Sequence, residues 1–563
     1  MNAQTPQLFP ELTSTVPAFA EAIHRHENGD LAGARVLYTN LIDQPQMTAP
    51  CLHQLGLIAA AQGEHARAAD LFIRVTRLEP TLWVGYANLC AAFDRIGKAP
   101  EATAVLIDFA CNLYRLHQYK EAEPVFRQVL AREPAGYVAN ANLGTCMAWL
   151  NNLDEAAALL IRAIRVYGRV APEMATFVTE LERHIDKDFL ARIAPLPDGP
   201  VPNRTERVED ALTSLGKVLC DMGFEQAALL CHRMAATTAP GFALAHWNLA
   251  LALLTRGDYQ KGWAEYEWRW EWPEFPEPRR RLPAAPWRGE PLTGKRILVW
   301  GEQGFGDVMQ FVPLVQHLAE TAGEVLLEVQ QPLQRLLAGS LTGVEVICHS
   351  GQPNAVATDK LLDYAVPLMS LQHRTRLVRE SLPITINYLR ADPADAPLWQ
   401  NRMQTERPLR IGLVWATRPY PDTRRAIPLR QLRPLFERTM VAWYSLQVGP
   451  QQQELSEEAI PGLTDLSPHI IDFADTAAAI SQLDLVITVD TAVAHLAGAM
   501  GKPVWTLLRD VADWRWGHDR SITPWYPSMR LFRQTKGGNW DEVIRRVCKA
   551  LDDVVESCAE GMS

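Results

Sequence analysis

The sequence predicts an α-helical repeat solenoid in its first half and two doubly wound α/β lobes in its second half. Three observations lead to this fold class: a 34-residue repeat of glycine, alanine and aromatic positions, an alternation of short apolar runs with helix-length segments after Pro286, and glycine-rich turns between strands and helices. A chain of 563 residues is too long for one core, and domain statistics predict about three or four folding units.

The repeat pattern predicts pairs of helices joined by a glycine turn. The small residue lets neighbouring helices approach closely, and the aromatic residue fills the groove between them. Such units resemble tetratricopeptide (TPR) repeats. The pattern consists of three columns spaced by 34 positions, namely Gly29, Gly63 and Gly97, then Ala34, Ala68 and Ala102, then Tyr38, Phe72 and Leu106.

The register of the repeat slips once and then resumes. Ala102 and Ala122 are only 20 residues apart, but Ala122 and Ala156 return to a spacing of 34. A stretch with the sequence PLPDGPVPNR cannot continue a helix, and repeat positions reappear after it, for example at Gly223 and Gly257. We therefore predict a first TPR array over residues 1–194, a linker over 195–208 and a second array over 209–285.

Stacked TPR helices form a concave surface that commonly holds an extended peptide. We therefore expect a protein partner in this groove. A spacer or a dimerisation arm is the alternative, and a homo-oligomer stays open.

Composition argues against several classes of function. The formal net charge of −10 disfavours a nucleic-acid partner, since binding to a phosphate backbone needs a basic face. The nine cysteines contain no C-x-x-C pair, which predicts buried thiols in a reducing compartment rather than a zinc site or a disulfide framework. We find no signal peptide and no apolar run long enough to span a membrane, so the expected location is the cytoplasm.

Short apolar runs after Pro286 predict parallel strands separated by helices. An extended segment with prolines, over residues 381–397, is expected to connect two lobes at 286–390 and 391–563. In doubly wound lobes the ligand lies at the carboxyl ends of the strands. The predicted strands are 296–300, 324–329 and 344–348 in the first lobe, and 409–415, 441–448, 485–489 and 503–508 in the second.

A glycine-rich turn, GEQGFGD, follows the first predicted strand. Its G-x-x-G-x-G spacing differs from the dinucleotide fingerprint, so we do not predict a nicotinamide site. Gln303, Gly304 and Gly306 would form an acceptor-side loop whose backbone approaches a ligand closely. Asp307 lies where a helix begins, so it is either an N-cap or a general base for an acceptor hydroxyl at the mouth of the cleft.

A second strand-to-helix turn contains Asp490, Thr491 and His495. Asp490 or Thr491 would cap the helix, and the free amides and the helix dipole suit a pyrophosphate. His495 lies four residues after Thr491 and therefore on the same helix face. It either donates to a phosphate or leaving group, or it is a packed core residue.

Weaker candidates lie on neighbouring loops. Arg424 and Arg425 suit phosphate through paired donors, although a charged surface loop explains them equally well. Gln447 follows the next strand and would face a base or a ribose. The tryptophans near the end of the chain either stack on a ligand or pack in the core. The α/β half has no D-x-D pair and no cluster of His and carboxylate residues, so we expect no metal and no other cofactor.

Ordered sequence blocks between residues 209 and 545 resemble bacterial TPR-fused glycosyltransferases related to the heptosyltransferase group. They are GDYQKGWAEYEWRW (257–270), GEQGFGDVMQFVP (301–313), DYAVPLMSL (363–371), IGLVWA with the downstream IPL (411–429), SLQVGPQQQEL (445–455), DFADTAAAISQLDLVITVDTAVAHLAGAMGKPVW (472–505) and DWRWGHDRSITPWYPSMRLFRQ (513–534).

The resemblance implies a GT-B fold, with two Rossmann-like lobes, that works without a metal. It implies that Asp307 is the catalytic base and that Asp490, Thr491 and His495 hold the diphosphate of the donor. Ala492 stands where the family usually has a glycine, and its methyl group would narrow the approach of the phosphate. The basic loop lacks the family's usual Asn and His composition.

These features together predict an inverting glycosyltransferase that moves a sugar from a nucleotide sugar to a Ser or Thr hydroxyl of a protein. The protein acceptor, with flagellin as one example, follows from the resemblance to TPR-fused relatives. Two alternatives stay open: a non-enzymatic TPR adaptor with a degenerate glycosyltransferase module, and an enzyme that glycosylates lipopolysaccharide.

Overall fold

A computed structural model of the chain describes residues 10–195, 199, 207–277, 279–352, 354–376, 387–417, 423–517, 520–535 and 538–562. The chain divides into two compact units, Met1–Gly241 and Phe242–Ser563. The first unit is helical throughout its described elements, whereas the second contains two parallel β-sheets flanked by helices. The predicted fold class, a helical repeat array followed by α/β lobes, is confirmed.

The helices of the first unit are α1 (Pro10–Thr15), α2 (Pro17–Glu27), α3 (Leu31–Leu41), α4 (Pro45–Ala61), α5 (His65–Leu78), α6 (Trp83–Arg95), α7 (Ala99–Arg115), α8 (Tyr119–Arg132), α9 (Tyr137–Trp149), α10 (Leu153–Tyr167), α11 (Pro172–Glu182), α12 (Lys187–Arg192), α13 (Val208–Asp221) and α14 (Glu225–Thr238).

The repeated small and aromatic positions form the core of this helical unit. Every alanine of the small-residue column is fully buried, and so are Tyr38 and Phe72. The glycines of the first helices make room for the second helices, because a Cβ on Gly56 would lie 2.6 Å from the ring of Phe72. A Cβ on Gly144 would likewise lie 2.7 Å from Leu160. The 34-residue spacing therefore arises from contacts that each pair of helices repeats.

The turns between paired helices need a residue with a left-handed backbone. Gly29, Gly63 and Gly97 have φ values of 82°, 80° and 74°, a region where a side chain is strained. After the slip of register, His117 and Asn151 occupy the same turn position with φ values of 58° and 62°. The slip arises because two consecutive helices both carry the small residue of the repeat. Ala102 lies in α7 and Ala122 lies in α8, which follows it directly.

The predicted linker and second array fall across the boundary between the two units. Most of the linker lies outside the described residues. Helices α13 and α14 pack as a pair in the first unit. The next two helices, α15 (Ala243–Thr255) and α16 (Tyr259–Tyr266), belong to the second unit, where Leu254 and Trp263 join the core of the α/β lobes.

The other helices of the second unit are α17 (Phe305–Ala319), α18 (Gln331–Ser340), α19 (Leu371–Thr375), α20 (Ala396–Arg402), α21 (Glu454–Glu458), α22 (Phe473–Ser481), α23 (Ala492–Ala499) and α24 (Trp540–Met562). Its strands are β1 (Ala285–Pro286), β2 (Arg296–Trp300), β3 (Glu324–Val329), β4 (Val344–Cys348), β5 (Tyr364–Pro367), β6 (Leu409–Val414), β7 (Val441–Ser445), β8 (Leu463–Asp465), β9 (Leu485–Val489), β10 (Val504–Leu508) and β11 (Met529–Arg533).

Both sheets are doubly wound. The first has the order β1-β5-β2-β3-β4 and the second has the order β11-β10-β9-β6-β7-β8, with parallel pairing throughout. The order reverses beside β2 in the first sheet and between β6 and β9 in the second. Ligands of such sheets bind outside the carboxyl ends of the strands at these reversals, which is where the predicted site residues lie.

The strands predicted from sequence are all present, but β1, β5, β8 and β11 were not predicted. β1 and β8 are only two and three residues long, and β5 ends in a proline. β11 is an edge strand with charged residues in its sequence, MRLFR. Such short or charged strands give little apolar pattern. Residues 381–386 of the predicted interlobe connection lie outside the described residues.

The two lobes meet along helices α17 and α23, whose apolar residues belong to one core cluster. Arg335 of α18 adds an ionic contact between the lobes, since its Nη2 lies 2.8 Å from Asp472 and 2.6 Å from Asp475. The turns that precede α17 and α23 are therefore brought together at this seam. Among the described helices, none combines the length and the apolarity needed to cross a membrane.

Candidate active site

Asp307 lies in the first turn of α17. Gly304 is the N-cap, so Asp307 is the third helical residue and not the N-cap itself. Its Oδ2 accepts the backbone N–H of Gly304 at 2.7 Å, which satisfies one of the free amides at the helix start. A Cβ on Gly304 would lie 2.9 Å from the same oxygen. The glycine therefore lets the turn close on the carboxylate.

The glycine-rich turn is supported by the segment that precedes the first sheet. Gln303 has a left-handed backbone, with φ of 64°, and its N–H donates to Oε1 of Glu277 at 2.5 Å. Its side chain bonds the hydroxyl of Tyr266 at 2.9 Å. Burial raises the pKa of Glu277 to about 7, and the charges of Glu302 and Asp307 add to that rise. These bonds fix Gln303 within the turn.

A buried arginine anchors the same turn to the body of the lobe. The Nη2 and Nε atoms of Arg269 donate to the two carboxylate oxygens of Glu302 at 2.8 and 2.9 Å. Arg269 also donates to Ser370 at 2.9 Å, and Glu302 accepts the N–H of Met369 at 2.9 Å. Neither charged residue was singled out from the sequence, although Arg269 belongs to the block GDYQKGWAEYEWRW. A buried pair satisfied on both sides keeps the turn in one conformation.

The second strand-to-helix turn joins β9 to α23. Thr491 is the N-cap residue, but its side chain makes no capping bond. Its hydroxyl instead lies 3.0 Å from Oγ1 of Thr488. The side chain of Thr491 therefore does not cap the first amides of α23, of which the N–H of Ala494 donates to the backbone carbonyl of Thr491 at 3.0 Å. Ala492 is the first helical residue, so its methyl group stands beside those amides.

His495 is buried where the lobes meet. Its Nδ1 lies 2.9 Å from the hydroxyl of Tyr526, and its ring centroid lies 5.1 Å from that of Trp516. Gly306 of α17 packs on the imidazole, because a Cβ there would lie 2.6 Å from Cδ2 of His495. Burial lowers the pKa of His495 to about 3, and the charge of Arg515 adds to the shift. The ring is therefore neutral near pH 7.

The weaker sequence candidates differ in their geometry. Arg425 lies close to Asp490, with Nη1 3.5 Å from Oδ2, whereas Arg424 is exposed. Burial raises the pKa of Asp490, and the charge of Arg425 opposes that rise. Gln447 is buried, and its Oε1 accepts two backbone N–H groups just after β6 at 3.2 and 3.0 Å. Residues 418–422 of the arginine loop lie outside the described residues.

Arg515, in the segment after β10 of the second lobe, bonds α17 of the first lobe across the seam. Its Nη2 donates to Oδ1 of Asp307, its Nη1 to Asp513 at 2.7 Å, and its Nε to Gln310 at 2.8 Å. The guanidinium carbon lies 4.3 Å from the ring centroid of Trp514. The side chain of Arg515 is 9% exposed. Burial raises the pKa of Asp307, and the charge of Arg515 opposes that rise.

Sequence reasoning missed Arg515 and considered only the tryptophans around it. The sole sequence signal is its position between two large aromatic residues in the block that begins DWRW. The tryptophans pack in the core, as the ring contacts of Trp514 with Trp263 and Phe311 illustrate. In the part of the chain that the structure describes, no group of three His, Cys, Asp or Glu side chains could hold a metal ion.

Comparison with known families fits this architecture. Residues 113–181, in the helical unit, match the tetratricopeptide repeat family, and residues 445–545 match glycosyltransferase family 9 (heptosyltransferase). The second match begins at the end of β7 and includes Asp490, His495 and Arg515. The chain therefore combines TPR repeats with a glycosyltransferase family 9 domain, and it is a glycosyltransferase.

A curated relative resembles almost the whole chain. Protein FlbA of Caulobacter vibrioides is 26% identical over 564 residues, and the alignment covers 95% of this chain and 84% of FlbA. The similarity therefore extends over both the helical part and the α/β part of this chain.

Solved structures are similar to parts of the chain. A family 9 glycosyl transferase from Veillonella parvula is 14% identical, covering 48% of this chain and 100% of that structure with a TM-score of 0.37. The E. coli ADP-heptose LPS heptosyltransferase II is 14% identical, covering 48% and 100% with a TM-score of 0.34. YrrB, a TPR protein with an unusual peptide-binding site, is 17% identical, covering 37% and 95% with a TM-score of 0.19.

Proposed function

We propose that this glycosyltransferase moves a sugar from a nucleotide-sugar donor to a Ser or Thr hydroxyl of a protein acceptor, with inversion at the anomeric carbon and without a metal. The observation that carries the proposal is the meeting of two turns at the seam between the lobes. One turn supplies the carboxylate of Asp307, and the other supplies the start of α23, where the N-cap residue makes no side-chain capping bond.

Asp307 is the proposed general base. Its carboxylate takes the proton of the acceptor hydroxyl, and the acceptor oxygen forms a bond to the anomeric carbon. The bond from that carbon to the donor phosphate breaks, and the leaving nucleotide keeps the electron pair. Positioned bases of this kind contribute about 10²- to 10⁴-fold to rate.

The start of α23 is the proposed site of the donor diphosphate. Free amides and a helix dipole stabilise the charge that develops on the leaving phosphate. Arg425 adds positive charge beside Asp490, and Arg424 and Gln447 complete the predicted donor residues. His495 enters the proposal as a neutral imidazole, since its burial disfavours the charged ring. Such a site would use helix amides and guanidinium groups in place of a metal ion.

The TPR repeats are the proposed binding site for the acceptor, because TPR surfaces bind extended peptides. The family resemblance favours a protein acceptor, with flagellin as one candidate. The cytoplasm, which is the location expected from the sequence, is the proposed compartment of the reaction.

Two measurements test the proposal. The purified full-length chain is titrated by calorimetry with a panel of nucleoside mono- and diphosphates, and we expect at least one to bind. Intact-mass analysis of proteins from cells with and without the chain should then show an increment of one or more sugar residues. Absence of nucleotide binding at millimolar concentration, or a change confined to lipopolysaccharide, would contradict the proposal.

A further inference from the structure

Arg515 is a buried charged group at the seam between the lobes, and its side chain bonds the proposed base, Asp307. All three nitrogens of its guanidinium donate, one to each of Asp307, Asp513 and Gln310. Asp307 and Gln310 lie on α17 of the first lobe, whereas Arg515 lies in the second lobe. The arginine therefore belongs to the lobe proposed to bind the donor, but it bonds residues of the lobe proposed to bind the acceptor.

The pairing with Asp307 conflicts with the proposed role of that carboxylate. A carboxylate that pairs with a buried guanidinium is a poor base, because protonating it leaves the arginine charge without its partner. Asp307 must also accept the backbone N–H of Gly304. Both carboxylate oxygens thus already accept a hydrogen bond, so an acceptor hydroxyl has to compete with Arg515 and the N–H of Gly304 for Asp307.

Arg515 also acts on the donor side. Its charge opposes the rise that burial causes in the pKa of Asp490. The same charge adds to the lowering that burial causes in the pKa of His495. The next residue, Trp516, has its ring against the imidazole of His495. A diphosphate at the start of α23 would therefore lie in the field of the guanidinium, and arginine binds phosphate oxygens through paired donors.

We propose that Arg515 exchanges partners during the reaction: it pairs with Asp307 as in this structure, and a bound donor diphosphate draws it away and frees Asp307 to act as the base. This inference rests on the proposed function. No covalent bond changes in the exchange, and one ion pair replaces another. The exchange makes the base available only when a donor is bound. The acceptor hydroxyl is therefore not deprotonated before the donor is in place.

A merely structural arginine that ties the two lobes together is the competing explanation, and Arg335 offers a matched control. Arg335 also crosses between the lobes, where it pairs with Asp472, Asp475 and Asp395. Its partners are none of the proposed site residues. Arg335→Gln therefore removes an interlobe ion pair without touching the exchange.

The test measures binding of inorganic pyrophosphate to the full-length chain by calorimetry. Arg515→Gln should weaken binding by about 10-fold or more, as expected for the loss of a charge-assisted contact. Arg515→Lys, which keeps the charge but not the fork, should recover part of the loss. Arg335→Gln should stay within about 2-fold of the parent chain.

The decisive variant is Asp307→Asn, because it leaves Arg515 in place. If the two groups compete, removing the carboxylate charge frees the arginine, and pyrophosphate should bind about 3- to 10-fold more tightly. Unchanged or weaker binding by Asp307→Asn overturns the exchange, as does unchanged binding by Arg515→Gln. Should the parent chain bind no pyrophosphate, the exchange and the proposed donor site both fall, whereas binding without any effect of Arg515 refutes the exchange alone.

Discussion

The two units of the chain bury polar groups in different ways. In the helical unit the buried polar residues are neutral, such as His53, Asn140 and His232, and a typical ion pair, Arg127 with Glu155, is half-exposed. The α/β unit instead buries full charges, with Arg269 and Glu302 at 0% side-chain exposure. Burying charge is costly even when it is paired. The helical unit is therefore built for packing, whereas the α/β unit accepts a cost in stability to fix one glycine-rich turn.

The largest expected effect separates catalysis from packing within the α/β unit. Asp307→Asn keeps the geometry of the helix start, because an amide oxygen can still accept the N–H of Gly304, but it cannot take a proton. We expect transfer to a protein acceptor to fall by about 10²- to 10⁴-fold. The melting temperature should fall less than in Arg269→Met, because Arg515 keeps Asp513 as an ion-pair partner. Rates are measured with the donor and acceptor identified by calorimetry and intact-mass analysis.

Asp513→Asn is the control for that variant, since Asp513 also pairs with Arg515 but its side chain is more exposed. It should cost less than about 10-fold in rate. Near-normal turnover by Asp307→Asn, in a protein that melts normally, would return Asp307 to a purely structural role.

The second prediction compares the ion pairs of the two units. Arg269→Met leaves Glu302 buried without its partner, which should lower the free energy of unfolding of the α/β unit by about 3–5 kcal/mol. Arg127→Met, in the helical unit, should cost no more than about 1 kcal/mol, because its pairs with Glu123 and Glu155 are half-exposed. Hydrogen exchange read by mass spectrometry assigns each loss to its unit.

The double variant Arg269→Met/Glu302→Leu removes both charges and should regain part of the lost stability. If Arg269→Met costs no more than Arg127→Met, the contrast between the two units does not hold.

These contrasts explain what the sequence could and could not predict. The repeated positions of the helical unit were predictable because burial there follows residue size and a fixed spacing. The spacing alone therefore identifies Ala34 and Tyr38 as buried residues. The turns around Gly304 and Thr491 were predictable because glycine and capping residues mark the ends of strands. The partners of Asp307 were not predictable, since Arg515 is 208 residues away in the chain and only the fold brings them together.

The third prediction concerns the addition of a methyl group at one glycine in each unit. A Cβ would lie 2.6 Å from a ring at Gly56 in the helical unit and at Gly306 in the α/β unit. Both Gly→Ala variants should therefore lower the free energy of unfolding by about 1–3 kcal/mol through overpacking. Only Gly306→Ala should also weaken binding of the nucleotide, because it displaces His495. Calorimetry and thermal melts read both outcomes, and equal nucleotide affinities would contradict a role for His495 at the donor site.

The fourth prediction concerns pH. Burial raises the pKa of Glu277 from 4.5 to about 7, so its contribution to stability is complete below pH 4.5 and is lost as the pH rises to about 7. Glu277→Gln keeps an oxygen for the N–H of Gln303 but does not titrate. Relative to the variant, the parent chain should lose about 1–2 kcal/mol of unfolding free energy across this interval, less than full linkage because the side chain is only partly buried.

His232 of the helical unit should show the opposite slope. Burial lowers its pKa from 6.5 to about 3, so its contribution is complete above pH 6.5 and is lost as the pH falls. Denaturation at pH 5 and pH 7.5, with His232→Gln and Glu277→Gln beside the parent chain, measures both slopes. Parallel slopes for the two variants would contradict the opposite shifts.

The smallest expected effect lies in the turns of the helical unit. His117 and Asn151 hold the left-handed backbone that glycine holds in the earlier repeats. A residue with a side chain is strained there by about 1–2 kcal/mol, less for asparagine, and glycine removes the strain but gains entropy in the unfolded chain. His117→Gly should therefore stabilise the helical unit by up to about 1 kcal/mol, whereas Asn151→Gly should change it by less. Gly63→Ala, the reverse change at the matched position, should destabilise it by about 1 kcal/mol. Because all three sites lie on helix turns of the first unit, nucleotide binding by the second unit serves as an internal control and should not change. Destabilisation by His117→Gly would mean that the contact of its ring with Tyr119, at 2.7 Å between Nδ1 and the hydroxyl, outweighs the strain of its backbone.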